Sequence, residues 1–107
     1  MVVPEINVDE LAERLAGGQF LLDVRQPDEY LSGHVPGAVL IPLAEVPASV
    51  DQLRAHGPVL VICRSGARSL TAAEFLIGTG LDAVNVTGGT LAWMESGRDV
   101  VVSADPT

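Results

Sequence analysis

The stretch VLVICRSGARSL, Val59 to Leu70, holds the single cysteine of the chain, Cys63, with Arg64 and Arg68 within five residues of it. Sulfur is a strong nucleophile only as the thiolate, so the first question is what would keep it charged there. The segment RSGAR must turn sharply between the apolar run before it and the helical pattern after it. Gly66 is the one residue in it free to take a positive φ. A turn of this kind points successive backbone N–H groups inward, and the following helix adds the positive end of its dipole. The result is an anion cradle. A free cysteine titrates near roughly 8.5, and such surroundings lower it by one to several units, each about 1.4 kcal/mol in favour of the charged form. Arg64 and Arg68 then have two tasks open to them: holding Cys63 ionised, and drawing a small anion to it.

Each residue also has a plainer reading. By type alone Cys63 is a small buried hydrophobe, Arg64 and Arg68 are solvated charges, and Ser65 and Ser69 are turn and cap residues, Ser69 opening the next helix. The combination of two arginines, a glycine turn and a strand-to-helix position argues for a nucleophile instead. Two chemistries use a thiolate in such a cradle. Cysteine-dependent phosphatases place five residues between Cys and Arg to wrap a phosphate, whereas four separate Cys63 from Arg68. Attack on a sulfane sulfur expels a good leaving group such as sulfite and needs no general acid. His34 and His56 are the only histidines, and neither stands in an arrangement that suggests a triad or a metal site. Sulfur transfer therefore fits better, with no metal and no organic cofactor implied, because the sulfur travels covalently on Cys63.

Around this loop the chain is acidic. Six arginines and no lysine stand against fourteen Asp plus Glu, a formal charge of −8, which makes the loop a small positive island. That balance argues against nucleic acid or an anionic membrane as partner. At 107 residues the chain makes one domain, with 48% apolar residues and four aromatics, so Val, Leu, Ile and Ala must build the interior. One cysteine forms no intramolecular disulfide. The N-terminal MVVPEINVDE has acids where a signal peptide is basic, and no apolar run approaches the roughly 20 residues that cross a bilayer. The expected location is cytoplasmic.

The elements that must position the loop follow from periodicity. Asn7 with Glu10 resembles a capping box ahead of a helix from Val8 to Ala16, on which Val8, Leu11, Ala12 and Leu15 share a face. FLLDV, Phe20 to Val24, reads as a strand buried on both sides. Pro27 opens a short helix that Gly33 ends. AVLIPL, Ala38 to Leu43, reads as a strand closed by Pro42, and Pro47 to Ala55 is weakly helical. VLVIC, Val59 to Cys63, is the most β-branched run and the expected central strand. Ser69 to Thr79 predicts a mostly covered helix, DAVNV, Asp82 to Val86, a last strand, and GGTLAWMESG a last short helix. Alternating strands and helices indicate βαβ units, a mainly parallel sheet, and ligands at the carboxyl ends of the strands. Cys63 stands at such an end.

The sequence resembles the rhodanese family in three places, in the family's order and spacing, over roughly Pro4 to Val102. LLDVRQPDEYLSGHVPGAVLIPL, Leu21 to Leu43, resembles its N-terminal signature. CRSGARS resembles the active-site loop of single-domain sulfurtransferases, and VTGGTLAW, Val86 to Trp93, is similar to its closing motif. The resemblance implies an α/β rhodanese-like fold, a central five-stranded, mostly parallel sheet with helices on both faces, as a single domain over 4–102 with a flexible tail at 103–107. It implies a thiosulfate sulfurtransferase in which Cys63 is the catalytic nucleophile and becomes a persulfide. Arg64, Ser65, Gly66, Ala67, Arg68 and Ser69 would bind substrate. The donor would be a small anion such as thiosulfate, or a protein persulfide, and the acceptor cyanide, a thiol or a partner protein. A non-catalytic docking or sulfur-relay module is the alternative. Asp23, Arg25, Glu29, Gly33 and His34 match signature positions and are expected to be structural, with Arg25 pairing to Glu29 across a helical turn. Trp93 is expected in the core, and Gly88 and Gly89 to allow close backbone packing. Gly97-Arg98-Asp99-Val100 departs from the family's Gly-x-Pro-Val and leaves the course of the C-terminal segment open.

Overall fold

The computed structural model describes residues 1–103. Asn7 caps the first helix: its side-chain oxygen accepts from the Glu10 amide at 2.9 Å, and α1 runs over Val8–Ala16. Five strands form one sheet, β1 (Glu5–Ile6), β2 (Phe20–Asp23), β3 (Val39–Leu40), β4 (Val59–Ile62) and β5 (Ala83–Val86), in the order β1-β5-β4-β2-β3. Every pairing is parallel. Four helices complete the alternation: α2 (Pro27–Ser32), α3 (Val50–Arg54), α4 (Ala67–Gly78) and α5 (Gly89–Glu95).

The alternation of side chains along β4 explains the two-sided core. Val59, Val61 and Cys63 point to one face with Leu53 of α3 and Ala72, Ala73 and Leu76 of α4. Leu60 and Ile62 point to the other with Leu11 of α1, Tyr30 of α2 and Trp93 of α5. All four residues of β4 are fully buried, as its β-branched composition requires of a central strand.

Three elements differ from the expected pattern. β1 is a two-residue strand held by pairing, with the Asn85 amide on the Pro4 carbonyl and the Thr87 amide on the Ile6 carbonyl. So short a strand has no periodicity to read. The expected strand from Ala38 to Leu43 is a strand only at Val39–Leu40; the Ile41 and Leu43 amides still donate to the Asp23 and Val24 carbonyls, and the chain then passes into short 3₁₀ turns at Leu43–Glu45 and Pro47–Ser49. The weakly helical stretch from Pro47 is α-helical only over Val50–Arg54.

The C-terminal segment whose course was open lies against α2 and the turn after it. His34 and Val101 exchange both backbone hydrogen bonds, and the Ser103 amide donates to the Leu31 carbonyl. Of the expected flexible tail, 103–107, all but Ser103 falls outside the described residues.

Candidate active site

Cys63 follows the last residue of β4 and is 1% exposed. Its carbonyl accepts from the Thr90 amide at 2.9 Å and the Thr90 hydroxyl at 3.0 Å, and the Arg64 carbonyl accepts from the Leu91 amide at 3.1 Å. α5 therefore pins the first two residues of the loop. Gly66, at φ +117°, reverses the chain and sends its N–H to the sulfur, 3.1 Å from Sγ. This left-handed residue, and not Ser69, is the N-cap of α4, which begins at Ala67. The early turn moves Ser69 from the expected cap into the first helical turn, with its hydroxyl 3.3 Å from Sγ.

Two opposing effects set the charge of the sulfur. Burial pushes the thiol up, and the Ser69 hydroxyl with the amides of Ser69, Gly66 and Ser65 pulls it down; the outcome lies below the ordinary cysteine value. Backbone and hydroxyl donors do this work at short range.

The two arginines part company. Arg68 makes a bidentate pair with Glu29 of α2, both contacts at 2.8 Å. That guanidinium holds the Glu29 carboxyl at about 2, from an ordinary 4.5. The pair's contribution to stability is therefore fully present above pH about 4.5 and is lost as pH falls towards 2. With the Arg68 and Glu29 side chains 36% and 26% exposed, solvent screening keeps the contribution to about 1 kcal/mol. Glu29→Gln is expected to lower the melting temperature by about 4–8 °C at neutral pH, a difference that closes on acidification to pH 2 in thermal scans. Arg64 is exposed, and among the described residues it is the one arginine whose guanidinium makes no hydrogen bond or ion pair. It borders a pocket shared with Thr90, Leu91 and Met94.

The rhodanese-like domain profile matches residues 7–96. The chain belongs to the rhodanese family. A sulfurtransferase of Allochromatium vinosum is 35% identical over 103 residues, covering 94% of this chain and 96% of that protein. The crystal structure of a rhodanese-related protein from Thermoplasma volcanium superposes with a TM-score of 0.86 at 36% identity, over 94% of this chain and 99% of the other. A human single-domain sulfurtransferase gives 0.77 at 27% identity, over 88% and 97%.

In this rhodanese domain the signature residues build the scaffold beside the loop, with one partnership rearranged. Arg25 turns to Asp23 and not to Glu29: its Nε lies 3.0 Å and its Nη2 2.9 Å from the carboxylate, and Nη2 also donates to the Gly33 carbonyl. Glu29 is thereby free to reach Arg68 across the site. The His34 ring stacks on Tyr30 at 3.6 Å, and its Nδ1 lies 2.8 Å from the Tyr30 carbonyl. Trp93, 6% exposed, donates Nε1–H to the Asp99 carbonyl, and Arg98 covers its ring.

Gly89 of the rhodanese domain has the tightest role. At φ +59°, a Cβ there would stand 2.5 Å from the Arg64 carbonyl oxygen and 2.6 Å from that of Cys63. Both contacts are to the backbone of the loop that carries Cys63. Gly89→Ala is expected to cost about 2–3 kcal/mol and to displace the loop, read as a lower denaturation midpoint with slower thiol alkylation.

Sequence reasoning missed Asn85, Thr90 and Glu5 as neighbours of the site. Asn85 did leave a signal: it is the one polar side chain within the strand segment AVNV, and a buried amide must find partners.

Proposed function

We propose that this rhodanese domain moves a sulfane sulfur through a persulfide on Cys63, from thiosulfate or a protein persulfide to cyanide in an assay, or to a thiol or partner protein. The observation that carries this reading is the Cys63 sulfur at the end of β4, ringed by N–H and O–H donors, followed in the loop by Arg64, whose guanidinium has no partner among the described residues. With thiosulfate, the thiolate attacks the outer sulfur. A new S–S bond forms while the bond to the sulfonate sulfur breaks, its electron pair leaving on sulfite and the negative charge passing to the terminal persulfide sulfur. An acceptor nucleophile then takes that sulfur, and the thiolate returns. The amides of Ser65 and Gly66, with Ala67, Arg68 and Ser69 opening α4, form the cradle for the transferred sulfur. The sulfurtransferases among its relatives are consistent with this chemistry. No helix among the described residues is long and apolar enough to cross a membrane.

Arg64 is assigned the attraction of the anionic donor. Arg64→Gln is expected to raise KM for thiosulfate about tenfold with a smaller change in kcat, and to flatten the dependence of kcat/KM on ionic strength.

The deciding experiment is the intact mass of the protein before and after thiosulfate, and again after cyanide. A gain of one sulfur that cyanide removes supports the reading. If neither thiosulfate nor a protein persulfide loads sulfur, the domain is instead a docking module.

A further inference from the structure

Behind Cys63 runs a buried chain of hydrogen bonds of which the sulfur chemistry above uses only the Ser69 hydroxyl. Ser69 Oγ stands 3.3 Å from Cys63 Sγ and 2.6 Å from Asn85 Oδ1. Asn85 Nδ2 lies 2.8 Å from the Glu5 carboxylate and 3.3 Å from the Gly66 carbonyl. Ser69 is fully buried and Asn85 is 2% exposed. Both partners of Nδ2 can only accept, so the amide orientation is fixed and Oδ1 must face Ser69. The hydroxyl has one proton for two acceptors, and the shorter contact is to Asn85.

We propose that Asn85 is a positioning residue for sulfur transfer: its carbonyl holds the Ser69 proton whenever Cys63 Sγ is uncharged, and yields it when Sγ is a thiolate. This rests on Cys63 being the sulfur carrier. In the thiol, S–H donates to the free lone pair of Ser69 Oγ while Oγ–H stays on Asn85. In the thiolate, Oγ–H turns to Sγ and leaves a buried Oδ1 without its donor, which is unfavourable. When Sγ takes sulfur, the negative charge moves to the terminal atom, Sγ is neutral again, and the proton returns to Asn85. Asn85 thus favours the persulfide over the thiolate by the worth of one hydrogen bond, roughly three- to tenfold. It does so without touching substrate.

The charged groups on the elements around this chain are Arg64 on the loop, Arg68 on α4 with Glu29 of α2, the Asp23–Arg25 pair after β2, and Glu5 on β1. All are retained in the test. Asn85→Leu, close in shape, leaves Ser69 with Sγ as its only acceptor. The thiol pKa, read from thiolate absorbance, is expected to fall by about half a unit to one unit. The ratio of persulfide to thiolate at fixed thiosulfate and sulfite is expected to fall three- to tenfold. In a Ser69→Ala background, Asn85→Leu should change neither. A merely structural Asn85 would leave the pKa unchanged or raise it, or shift it equally with Ser69 absent, and any of these overturns the proposal. Should Asn85→Leu fail to fold, the Asn85 side-chain carbonyl resonance decides: it should titrate with Cys63 in the native protein and cease to do so in Ser69→Ala. If neither thiosulfate nor a protein persulfide loads sulfur, the functional reading falls, while the thiol pKa still decides the role of Asn85.

Discussion

Cys63→Ser is expected to abolish sulfur loading and to lower turnover by about 10³-fold or more, with the fold intact. The substitution exchanges sulfur for oxygen in a site that buries the atom almost completely, 1% exposed, and still offers it the Gly66 amide and the Ser69 hydroxyl. Stability should hold, because a hydroxyl finds the same donors. Chemistry should not, because an alcohol in this cradle stays protonated at neutral pH, and only the thiolate is both charged and polarisable enough to attack sulfur. Turnover of thiosulfate with cyanide, together with intact mass, measures both. No other cysteine can take over the sulfur, since the chain has one. Residual loading of the serine variant would move the carrier role away from position 63 and remove the basis of the proposed function.

Asp23→Ala should cost about 3–5 kcal/mol, and lower the melting temperature by about 12 °C or more. Asp23 is fully buried and Arg25 is 4% exposed. The carboxylate accepts from the Arg25 backbone amide at 3.0 Å and from Nε and Nη2 of the same side chain. Removing it strands a buried guanidinium with the Gly33 carbonyl as its remaining hydrogen-bond partner. An uncompensated buried charge costs far more than the loss of an exposed pair such as Arg14 with Glu10, worth a few tenths of a kcal/mol. A double replacement, Asp23→Leu with Arg25→Met, should recover most of the loss, because desolvation disappears with the charges. Thermal unfolding followed by circular dichroism separates the three proteins. A single-variant loss below about 1 kcal/mol would mean that water reaches Arg25 when its partner is gone.

The sequence was most informative where a local rule and a global one agree. The Asn7 cap, the α1 stripe and the β-branched run of β4 each state their structure within a few residues, and the order of elements dictates a parallel sheet. The rhodanese resemblance and the position of Cys63 at a strand end were equally legible, because the cysteine, the glycine turn and the arginines lie within six residues. β1 was not legible, since two residues have no period and only β5 makes them a strand.

What the tertiary structure decided is which groups act on the sulfur. By sequence, Arg64 and Arg68 both stand within five residues of Cys63. Folding brings Glu29, thirty-nine residues from Arg68, to neutralise that arginine and leaves Arg64 without a partner among the described residues. Gly66 takes the cap that Ser69 was expected to hold, which turns the Ser69 hydroxyl from a helix end to the thiol. Asn85 and Glu5 come from two other strands to complete the chain behind it. The sequence by itself determined the fold class and placed the single thiol at a strand end, because backbone propensity, apolar pattern and residue chemistry are local properties. The electrostatic partners were settled only in three dimensions, because a hydrogen bond depends on distances that residues remote along the chain acquire when strands and helices pack.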